Sequence, residues 1–447
     1  MTVTETADPV GLTLTSPELM TPAFVIDDAK LSANIARAKG RAAALGVTYR
    51  PHLKTHKSIG IARRQMMTPE GPATVSTLAE ARYFASHGVK DILYAVGIAP
   101  QKLSVVKAIR DSGCDLKIIL DNVAAAVAVS DFCRREKTEI PVLLEVDVDG
   151  HRSGIKPESD LLLKTAAALT DGATLAGVLT HAGDSYECKT LAAIKAAAEG
   201  ERAGIVTAAD RLRNAEYEVS IVSVGSSPTL MFSESESGVT EIRAGVCALF
   251  DLFMTNLGVC TLDDIAGSVV TTVIGHQDEK HQVICDAGFL AMSRDRGTQR
   301  QKHDYGYGLV CDIAGKPLDG GRILLTGTNQ EHGIITLPAD TLLKLSDFPV
   351  GTRLRILPNH ACPTAAPTKS SFWLTAKGAS LRRLITSAGG NRAVKIAHGG
   401  HRDCSRCFFI LKREHCCGSR TSGLRARSFY FGGTEPPGQH RVGRAGG

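Results

Sequence analysis

Long apolar runs, a secretory start and internal repeats are all missing from this sequence of 447 residues. No stretch of about 18 apolar residues is present, so a membrane span is not expected. The first residues lack the charged start and apolar run of a signal peptide, and we therefore expect a cytoplasmic protein. A content of 43% hydrophobic and 22% charged residues is typical of a globular chain with a large core or two domains.

Most of the chain has neither clustered cysteines nor a basic net charge. Eight of the twelve cysteines are scattered between Cys114 and Cys362, so reduced thiols are expected. Residues 369–447 hold fifteen lysines and arginines against three acids, which leaves residues 1–368 with a net charge of −6 out of the total of +6. Nothing in this mildly acidic part predicts a nucleic-acid or membrane partner.

The order of strand-like and helix-like segments predicts the fold class. From residue 23, short β-branched runs alternate with longer Ala-rich amphipathic stretches. After a first strand at TPAFVID, the eight strand candidates are VTYRPHL, ATVST, DILYAV, LKIILD, VLLEVDV, AGVLTH, SIVSVG and VTEIRA. This α/β pattern predicts a (β/α)8 barrel with its site at the carboxyl ends of the strands, and a doubly wound open sheet is the alternative. Beyond about residue 265, strands and turns indicate a second, mainly β domain.

We therefore divide the chain into an N-terminal extension (1–19), the barrel (20–262), the β domain (263–368) and a basic tail (369–447). The tail has arginine clusters, glycine pairs and no periodicity, which predicts a disordered, out-of-frame or foreign extension. Its Cys-x-x-Cys beside histidines could instead bind zinc. Alternatively, its charge could make it a nucleic-acid-binding module on an inert barrel.

The stretch RPHLKTHK, at residues 50–57, places unusual basic charge at the end of the first barrel strand. In an extended strand, Arg50, His52, Lys54 and His56 would share one face. A buried face of that kind needs an anionic occupant, whereas an exposed edge strand with solvated charge is the alternative.

Polar residues that follow the other strands would converge on the same site in a barrel. They are Arg152, His181, Tyr186, the run SVGSSPT at 223–229, Arg243 and Gly245. The run offers Gly, Ser and Thr donors that suit a phosphate, although such turns are common. A phosphate site facing an inward lysine is what a pyridoxal phosphate enzyme requires, with His52, Arg50 and Lys57 as a cationic surround.

The segment LPNHACPT contributes His360 and Cys362. A His-x-Cys pair on an extended segment puts an imidazole and a thiolate on one face, which is half of a site for a metal such as Zn²⁺. The alternative is a histidine packed beside a cysteine without metal. Two ligands are too few for a structural zinc, so an occupied site would be open and catalytic.

Together these motifs resemble the fold-type III pyridoxal phosphate enzymes of the D-serine dehydratase and D-threonine aldolase family. The resemblance covers about residues 20 to 366 and rests on TPAFVID, RPHLKTHK, EVDVDGHRSG, LTHAGDSYE, VSVGSSPT, VTEIRAGV, ICDAGFLAMSRDRG, YGYGLVCD, NQEHG and LPNHACPT. It implies a barrel of the alanine racemase N-terminal type and a homodimer. The tail departs from the family, which puts the completion of the β domain in doubt.

The resemblance also implies roles for the matching residues. Lys54 corresponds to the Schiff-base lysine, and Arg152 to the arginine near the phenolic oxygen of the cofactor. The remaining cofactor-binding positions are His52, Tyr186 and Arg243 around the lysine and ring, and Gly225, Ser226, Thr229 and Gly245 at the phosphate. His360 and Cys362 match the ligands of a divalent metal, Zn²⁺ or Mn²⁺, Co²⁺ or Mg²⁺, with other positions left to water and substrate.

The implied activity is the dehydration and deamination of a D-3-hydroxy amino acid, with D-threo-3-hydroxyaspartate giving oxaloacetate and ammonia. D-serine dehydratase and D-threonine aldolase are the alternatives on the same fold, and a non-enzymatic pyridoxal phosphate carrier is a more distant one. The second carboxylate of hydroxyaspartate needs an extra cation. His56, Arg294 and Arg296 are the candidates, with surface ion pairs as the alternative reading.

Overall fold

The structure is a computed structural model that describes residues 13–366 and the backbone of 370–374 and 381–385. Its first strand is β1 (Ala23–Asp27). Eight parallel strands then form one sheet: β2 (Thr48–Pro51), β3 (Ala73–Val75), β4 (Asp91–Gly97), β5 (Asp115–Leu120), β6 (Ile140–Val146), β7 (Ala173–Thr180), β8 (Ile221–Val224) and β9 (Glu241–Ala244). A parallel bridge between His52 and Thr74 joins β2 to β3 and closes the sheet. The prediction of a (β/α)8 barrel is confirmed over the open-sheet alternative.

Helices connect the strands and cover the outside of the barrel. They are α1 (Asp28–Ala44), α2 (Ile59–Gln65), α3 (Leu78–Ser86), α4 (Leu103–Asp111), α5 (Val123–Glu136), α6 (Leu161–Ala167), α7 (Leu191–Asn214), α8 (Ser227–Phe232) and α9 (Leu252–Asn256). The first helix is capped by Asp27, whose carboxylate accepts a hydrogen bond from the backbone N–H of Lys30 at 3.0 Å.

The strands bury both of their faces, as expected for a parallel sheet wrapped by helices. Along β5, Ile118 and Leu120 belong to the large core between strands and helices. Ile119 points the other way and packs inside the barrel with Leu93 and Leu179. The alternation of side chains along each strand therefore supplies two separate layers of core.

A second, mainly antiparallel sheet follows the barrel in sequence. Its elements are β10 (Gly267–Gln277), β11 (Gln282–Cys285), α10 (Phe289–Met292), β12 (Gly308–Cys311), β13 (Leu324–Thr328), β14 (Gly333–Thr336), β15 (Arg353–Pro358), α11 (Ala361–Ala365), β16 (Ser370–Leu374) and β17 (Leu381–Ile385). The strand order is β11, β14, β13, β12, β15, β10, β1, β16, β17. This sheet confirms the predicted β domain and carries the His-x-Cys segment at the end of β15.

Several sheet pairings cross the predicted domain boundaries, which stay predictions. Strand β1 pairs with β10, so residues 23–27 belong to the β sheet although the predicted barrel began at 20. Strands β16 and β17 extend the sheet past 368, where the predicted tail began. Part of the predicted N-terminal extension contacts the β sheet, because Arg353 in β15 donates hydrogen bonds to the carbonyls of Leu14 and Leu19. The rest of the tail, with its cysteines and histidines, lies outside the described residues.

Within the described part of the chain, no helix is long and apolar enough to cross a membrane.

Candidate active site

A cavity of about 270 Å³ opens at the carboxyl ends of the barrel strands. Ten of the predicted site residues line it: His52, Lys54, Arg152, Tyr186, Gly225, Ser226, Arg243, Gly245, His360 and Cys362. The strand ends supply the first eight and the β domain supplies the last two. The fold therefore brings the predicted lysine and the predicted metal pair into one space.

The stretch 50–57 does not continue as a strand, so the prediction of one shared basic face was wrong. Strand β2 ends at Pro51, and the chain turns so that the backbone N–H of Lys57 donates to the carbonyl of Leu53 at 2.9 Å. Arg50 lies under the cavity, where its guanidinium pairs with Glu241 at 2.7 Å and with Asp91 at 2.9 Å. The basic side chains of this stretch therefore lie in different environments and do not share one face.

Lys54 reaches the cavity from the middle of that turn. Its side chain is exposed to the cavity, and in the described residues no carboxylate lies within ion-pair distance of its Nζ. Beside it, His52 accepts a weak hydrogen bond from the backbone of Lys54, at 3.4 Å. Burial, with the charges of Lys54 and Arg243, holds the pKa of His52 well below its usual value.

His56 is the first of the three substrate candidates that the structure places elsewhere. It is 3% exposed, and its Nε2 lies 2.9 Å from the side-chain oxygen of Gln65. Burial lowers the pKa of His56 to about 4, so the imidazole is neutral at pH 7. A neutral, buried imidazole outside the cavity lining cannot bind a substrate carboxylate, and this prediction is corrected.

Arg294 and Arg296 are likewise turned away from the cavity. The Arg294 guanidinium stacks 3.9 Å from the centre of the Phe289 ring. Arg296 pairs with Asp304 at 2.7 Å and lies over the ring of Tyr307. Neither arginine is among the described residues that line the cavity, so both substrate assignments are corrected too.

The loop after β8 forms one wall of the cavity and starts α8. Ser226 caps this helix: its hydroxyl accepts from the backbone of Thr229 at 3.1 Å, and the Thr229 hydroxyl accepts from the backbone of Ser226 at 3.2 Å. Thr229 therefore supports Ser226 from below and does not reach the cavity lining. Gly225 has φ +155°, and a Cβ there would lie 2.0 Å from the carbonyl oxygen of Arg243.

Arg243 is fixed beneath the cavity by two hydrogen bonds. Its guanidinium donates to the Ser223 hydroxyl at 2.5 Å and to the carbonyl of Thr180. Ser223 in turn donates to Glu241 at 2.7 Å, so the charge is connected to a buried carboxylate. Burial lowers the pKa of Arg243, yet a guanidinium stays protonated at neutral pH.

Two aromatic side chains face each other above the strand ends. The rings of His181 and Tyr186 lie 5.9 Å apart, and His181 Nδ1 is 2.7 Å from the carbonyl oxygen of Gly225. Since only a protonated Nδ1 can donate to that carbonyl, the tautomer is set. Burial lowers the pKa of His181 to about 4 and raises the pKa of Tyr186 well above its usual value, so both side chains are neutral.

Arg152 lines the cavity with one long ion pair in the described part of the chain. Its side chain is 59% exposed and approaches Glu145 only at 3.4 Å. A contact of that length between an exposed guanidinium and the buried Glu145 carboxylate holds the guanidinium loosely. Arg152 is therefore able to turn toward an anion in the cavity.

His360 and Cys362 lie on the segment between β15 and α11. His360 Nδ1 is 2.7 Å from a carboxylate oxygen of Asp295, and Cys362 Sγ is 3.1 Å from the hydroxyl of Thr55. Burial disfavours the charged imidazole, but Asp295 and Cys362 outweigh it and raise the pKa of His360 to about 11. The same pairing lowers the pKa of Cys362 against the effect of burial. The pair is ready to present a thiolate.

A buried carboxylate from the barrel holds this segment in place. Asp251 is fully buried, and one of its oxygens accepts from the backbone N–H of Ala361 at 2.8 Å. Its other oxygen caps α9 by accepting from Met254 at 3.0 Å. Burial raises the pKa of Asp251. The hydrogen bond from Ala361 to Asp251 thus fixes the position of the His-x-Cys segment relative to the barrel.

Sequence reasoning missed Asp251, Asp295 and the contact of Thr55. Asp295 lies between the two arginines of SRDRG that were predicted instead, and it faces the cavity while they face away. The available signal was that a metal-ligating histidine usually donates its other N–H to a carboxylate. No comparable signal marks Asp251, whose side chain meets Ala361 only through the fold.

The two ends of the cavity fit the groups that the sequence predicts. At the end that we name the Lys54 end (His52, Lys54, Arg152, His181 and Arg243), three cations face the space, which suits an anionic cofactor such as pyridoxal phosphate. At the Cys362 end (Asp251, Asp295, His360 and Cys362), thiolate and imidazole donors suit a divalent cation. In the described residues no cluster of three or more metal-ligating side chains occurs, so water and substrate would complete the coordination.

The comparisons with known proteins agree with this geometry. Residues 26–252 match the family described as "Alanine racemase, N-terminal domain", and residues 266–373 match the one described as "Putative serine dehydratase domain". The chain therefore belongs to the fold-type III pyridoxal phosphate enzymes, in the D-serine dehydratase family.

Individual relatives narrow the likeness within that family. The chain is 51% identical over 367 residues to D-threo-3-hydroxyaspartate dehydratase of Delftia sp. (strain HT23), covering 80% of this chain and 95% of that enzyme. It is 30% identical over 366 residues to D-serine dehydratase of Dictyostelium discoideum, covering 78% and 91%. The solved structure of the Delftia enzyme has a TM-score of 0.81 at 49% identity and covers 85% of this chain and 100% of that one. A cysteine-to-alanine variant of a D-threo-3-hydroxyaspartate dehydratase has been solved in its metal-free form.

Proposed function

We propose that the chain is a pyridoxal phosphate- and divalent-metal-dependent dehydratase, an ammonia-lyase that converts D-threo-3-hydroxyaspartate to oxaloacetate and ammonia. The observation that carries the proposal is one cavity that holds both a His-x-Cys pair and a lysine amine with no carboxylate partner among the described residues. The identity of 51% to a dehydratase of that substrate supports it. Identity to a D-serine dehydratase favours D-serine as the second candidate substrate.

In this proposal the Lys54 end holds the cofactor. Lys54 would bind it covalently, Gly225, Ser226 and Gly245 would contact the phosphate, and Thr229 would keep Ser226 in position. Tyr186 and Arg243 would lie at the ring, with Arg152 near its phenolic oxygen. Because His52 and His181 are neutral, they leave Lys54 as the basic group nearest the α-carbon of a substrate.

The Cys362 end would hold the metal. His360 Nδ1–H donates a hydrogen bond to Asp295, which would leave Nε2 as the ligating atom. When bound, the cofactor ring delocalises the charge left by loss of the α-proton, and the metal acts as a Lewis acid on the β-hydroxyl. Lys54 would take that α-proton, and the fixed height of the His-x-Cys segment would set where the β-oxygen lies.

We further propose a homodimer in the cytoplasm. The eight cysteines in the described residues are free thiols, as expected in a reducing compartment. The dimer rests on the family alone, and its test is the mass of the particle in solution by light scattering.

The decisive test is product formation from three substrates with and without EDTA. D-threo-3-hydroxyaspartate, D-serine and D-threonine are each incubated with the holoenzyme, and ammonia, oxo acids and aldehydes are measured. We expect oxaloacetate and ammonia from hydroxyaspartate at the highest kcat/KM, lost with EDTA. Glycine and acetaldehyde from D-threonine as the main products would contradict the proposal in favour of an aldolase.

A further inference from the structure

Thr55 connects the two ends of the cavity through adjacent residues of the chain. Lys54 projects into the cavity, while the next side chain turns the other way and is 0% exposed. The Thr55 hydroxyl lies 3.1 Å from the Sγ of Cys362, which is 307 residues away in sequence. This contact crosses from the barrel to the β domain.

The position of Thr55 is itself fixed by the backbone around it. The turn is closed by the hydrogen bond from Lys57 to Leu53, and Leu53 donates to the carbonyl of Thr74 at 2.8 Å. From above, the chain at Gly245 passes so closely that a Cβ there would lie 3.3 Å from the Thr55 hydroxyl. The hydroxyl therefore has little freedom to leave Cys362.

The chemistry of the pair sets the direction of the hydrogen bond. A cysteine that ligates a metal is a thiolate, which accepts hydrogen bonds and cannot donate one. The Thr55 hydroxyl must then be the donor. A hydrogen bond to a ligating sulfur holds its lone pairs in one orientation and lowers the energy of the sulfur electrons.

We propose that Thr55 is a positioning residue of the metal site, whose hydroxyl orients the Cys362 thiolate and fixes the metal relative to the neighbouring Lys54. This inference rests on the proposed function, because it takes Cys362 as a ligand. It assigns a role to the residue that follows the lysine in RPHLKTHK, which neither the cofactor nor the substrate otherwise explains.

The test is a Co²⁺ titration of the holoenzyme, followed by the thiolate-to-cobalt charge-transfer band. Thr55→Val keeps the shape and removes the hydroxyl, whereas Thr55→Ser keeps the hydroxyl and removes the methyl group. The matched control is Thr165→Val, since Thr165 is also fully buried and its hydroxyl has no partner in the described residues.

For Thr55→Val we expect a Co²⁺ dissociation constant raised about tenfold and a band moved to longer wavelength, with cofactor absorbance unchanged. Thr55→Ser should keep the wild-type band and affinity, as should Thr165→Val. The inference fails if Thr55→Val matches Thr165→Val, or if Thr55→Ser loses affinity, because packing and not the hydroxyl would then matter. A wild-type titration without a thiolate-to-cobalt band would overturn Cys362 as a ligand and this inference with it.

Discussion

The two ends of the cavity set the charge of their histidines in opposite directions. At the Lys54 end, burial beside cations keeps His52 and His181 neutral, with the pKa of His181 lowered to about 4. At the Cys362 end, a carboxylate 2.7 Å away and a thiol raise the pKa of His360 to about 11. The anionic surroundings that raise the pKa of His360 also favour a divalent cation, which would take the place of the imidazolium proton on Nε2.

The difference indicates whether each end of the cavity favours an anionic or a cationic ligand. At the Lys54 end three cations line the cavity with one carboxylate, Glu145, and such an excess of positive charge favours an anion, whereas a buried thiolate with carboxylates favours a cation. Lys54, Arg152 and Arg243 against Cys362 and Asp295 therefore predict opposite ligands before any chemistry is assumed.

The largest effect should come from Lys54→Ala. Because this residue would both hold the cofactor and move the α-proton, kcat should fall by more than about a thousandfold. Ammonia release and the visible absorbance of the cofactor measure the two roles. The control is Lys90→Ala, which removes a surface ion pair with Glu70, 2.7 Å away, and should retain activity within about tenfold. Equal losses of activity and cofactor absorbance in the two variants would contradict Lys54 as the lysine that binds the cofactor.

Cys362→Ala should break the Cys362 end while leaving the Lys54 end intact. We expect deamination to drop by about a hundredfold or more, with wild-type cofactor absorbance, since a Lewis acid contributes several kcal/mol. Metal added after EDTA should restore the wild type and not the variant. Cys311→Ala, a buried cysteine in strand β12, is the control and should respond like the wild type. Wild-type deamination by Cys362→Ala without added metal would contradict the role of the Cys362 end as a metal site.

Asp295→Asn should weaken metal binding without abolishing it. The amide keeps the size of the carboxylate but removes the charge that orients the imidazole, so the metal dissociation constant should rise about tenfold. Calorimetric titration of the metal into the EDTA-treated holoenzyme measures it. Asp304→Asn breaks the pair with Arg296 outside the cavity and should bind metal normally. An unchanged constant in Asp295→Asn would mean that the carboxylate does not orient His360.

The smallest expected effect is the pH dependence of folding stability that His181, at the Lys54 end, contributes. His181 has a pKa of about 4 when folded and about 6.5 when unfolded, so the unfolded chain binds the extra proton between these values. Stability is therefore complete above about pH 6.5 and falls toward pH 4, by at most about 1 kcal/mol per unit for this group. Urea unfolding at pH 7, 6 and 5 should show a shallower decline for His181→Asn. An identical decline would place the titrating group elsewhere, with His56 as the next candidate.

Much of the barrel end of the site could be predicted from the sequence because it follows a rule of the fold. Residues after parallel strands converge, so Lys54, Arg152, Arg243 and the SVGSSPT run could be placed together without coordinates. The failures arose where a side chain direction depends on a turn or on a distant partner. His56 lies past the end of β2, and Arg294 finds the Phe289 ring instead of the cavity.

The sequence by itself determined the order of strands and helices, the lysine, the phosphate-type loop and the His-x-Cys pair, because local periodicity and residue type carry that information. Only the tertiary structure decided that Asp251, Asp295 and Thr55 meet the His-x-Cys segment. Those contacts join positions 65 to 307 residues apart, and nothing local in the chain encodes them. The physical reason is that a strand end is a property of its own segment, whereas a hydrogen bond between segments far apart in sequence exists only after both have folded.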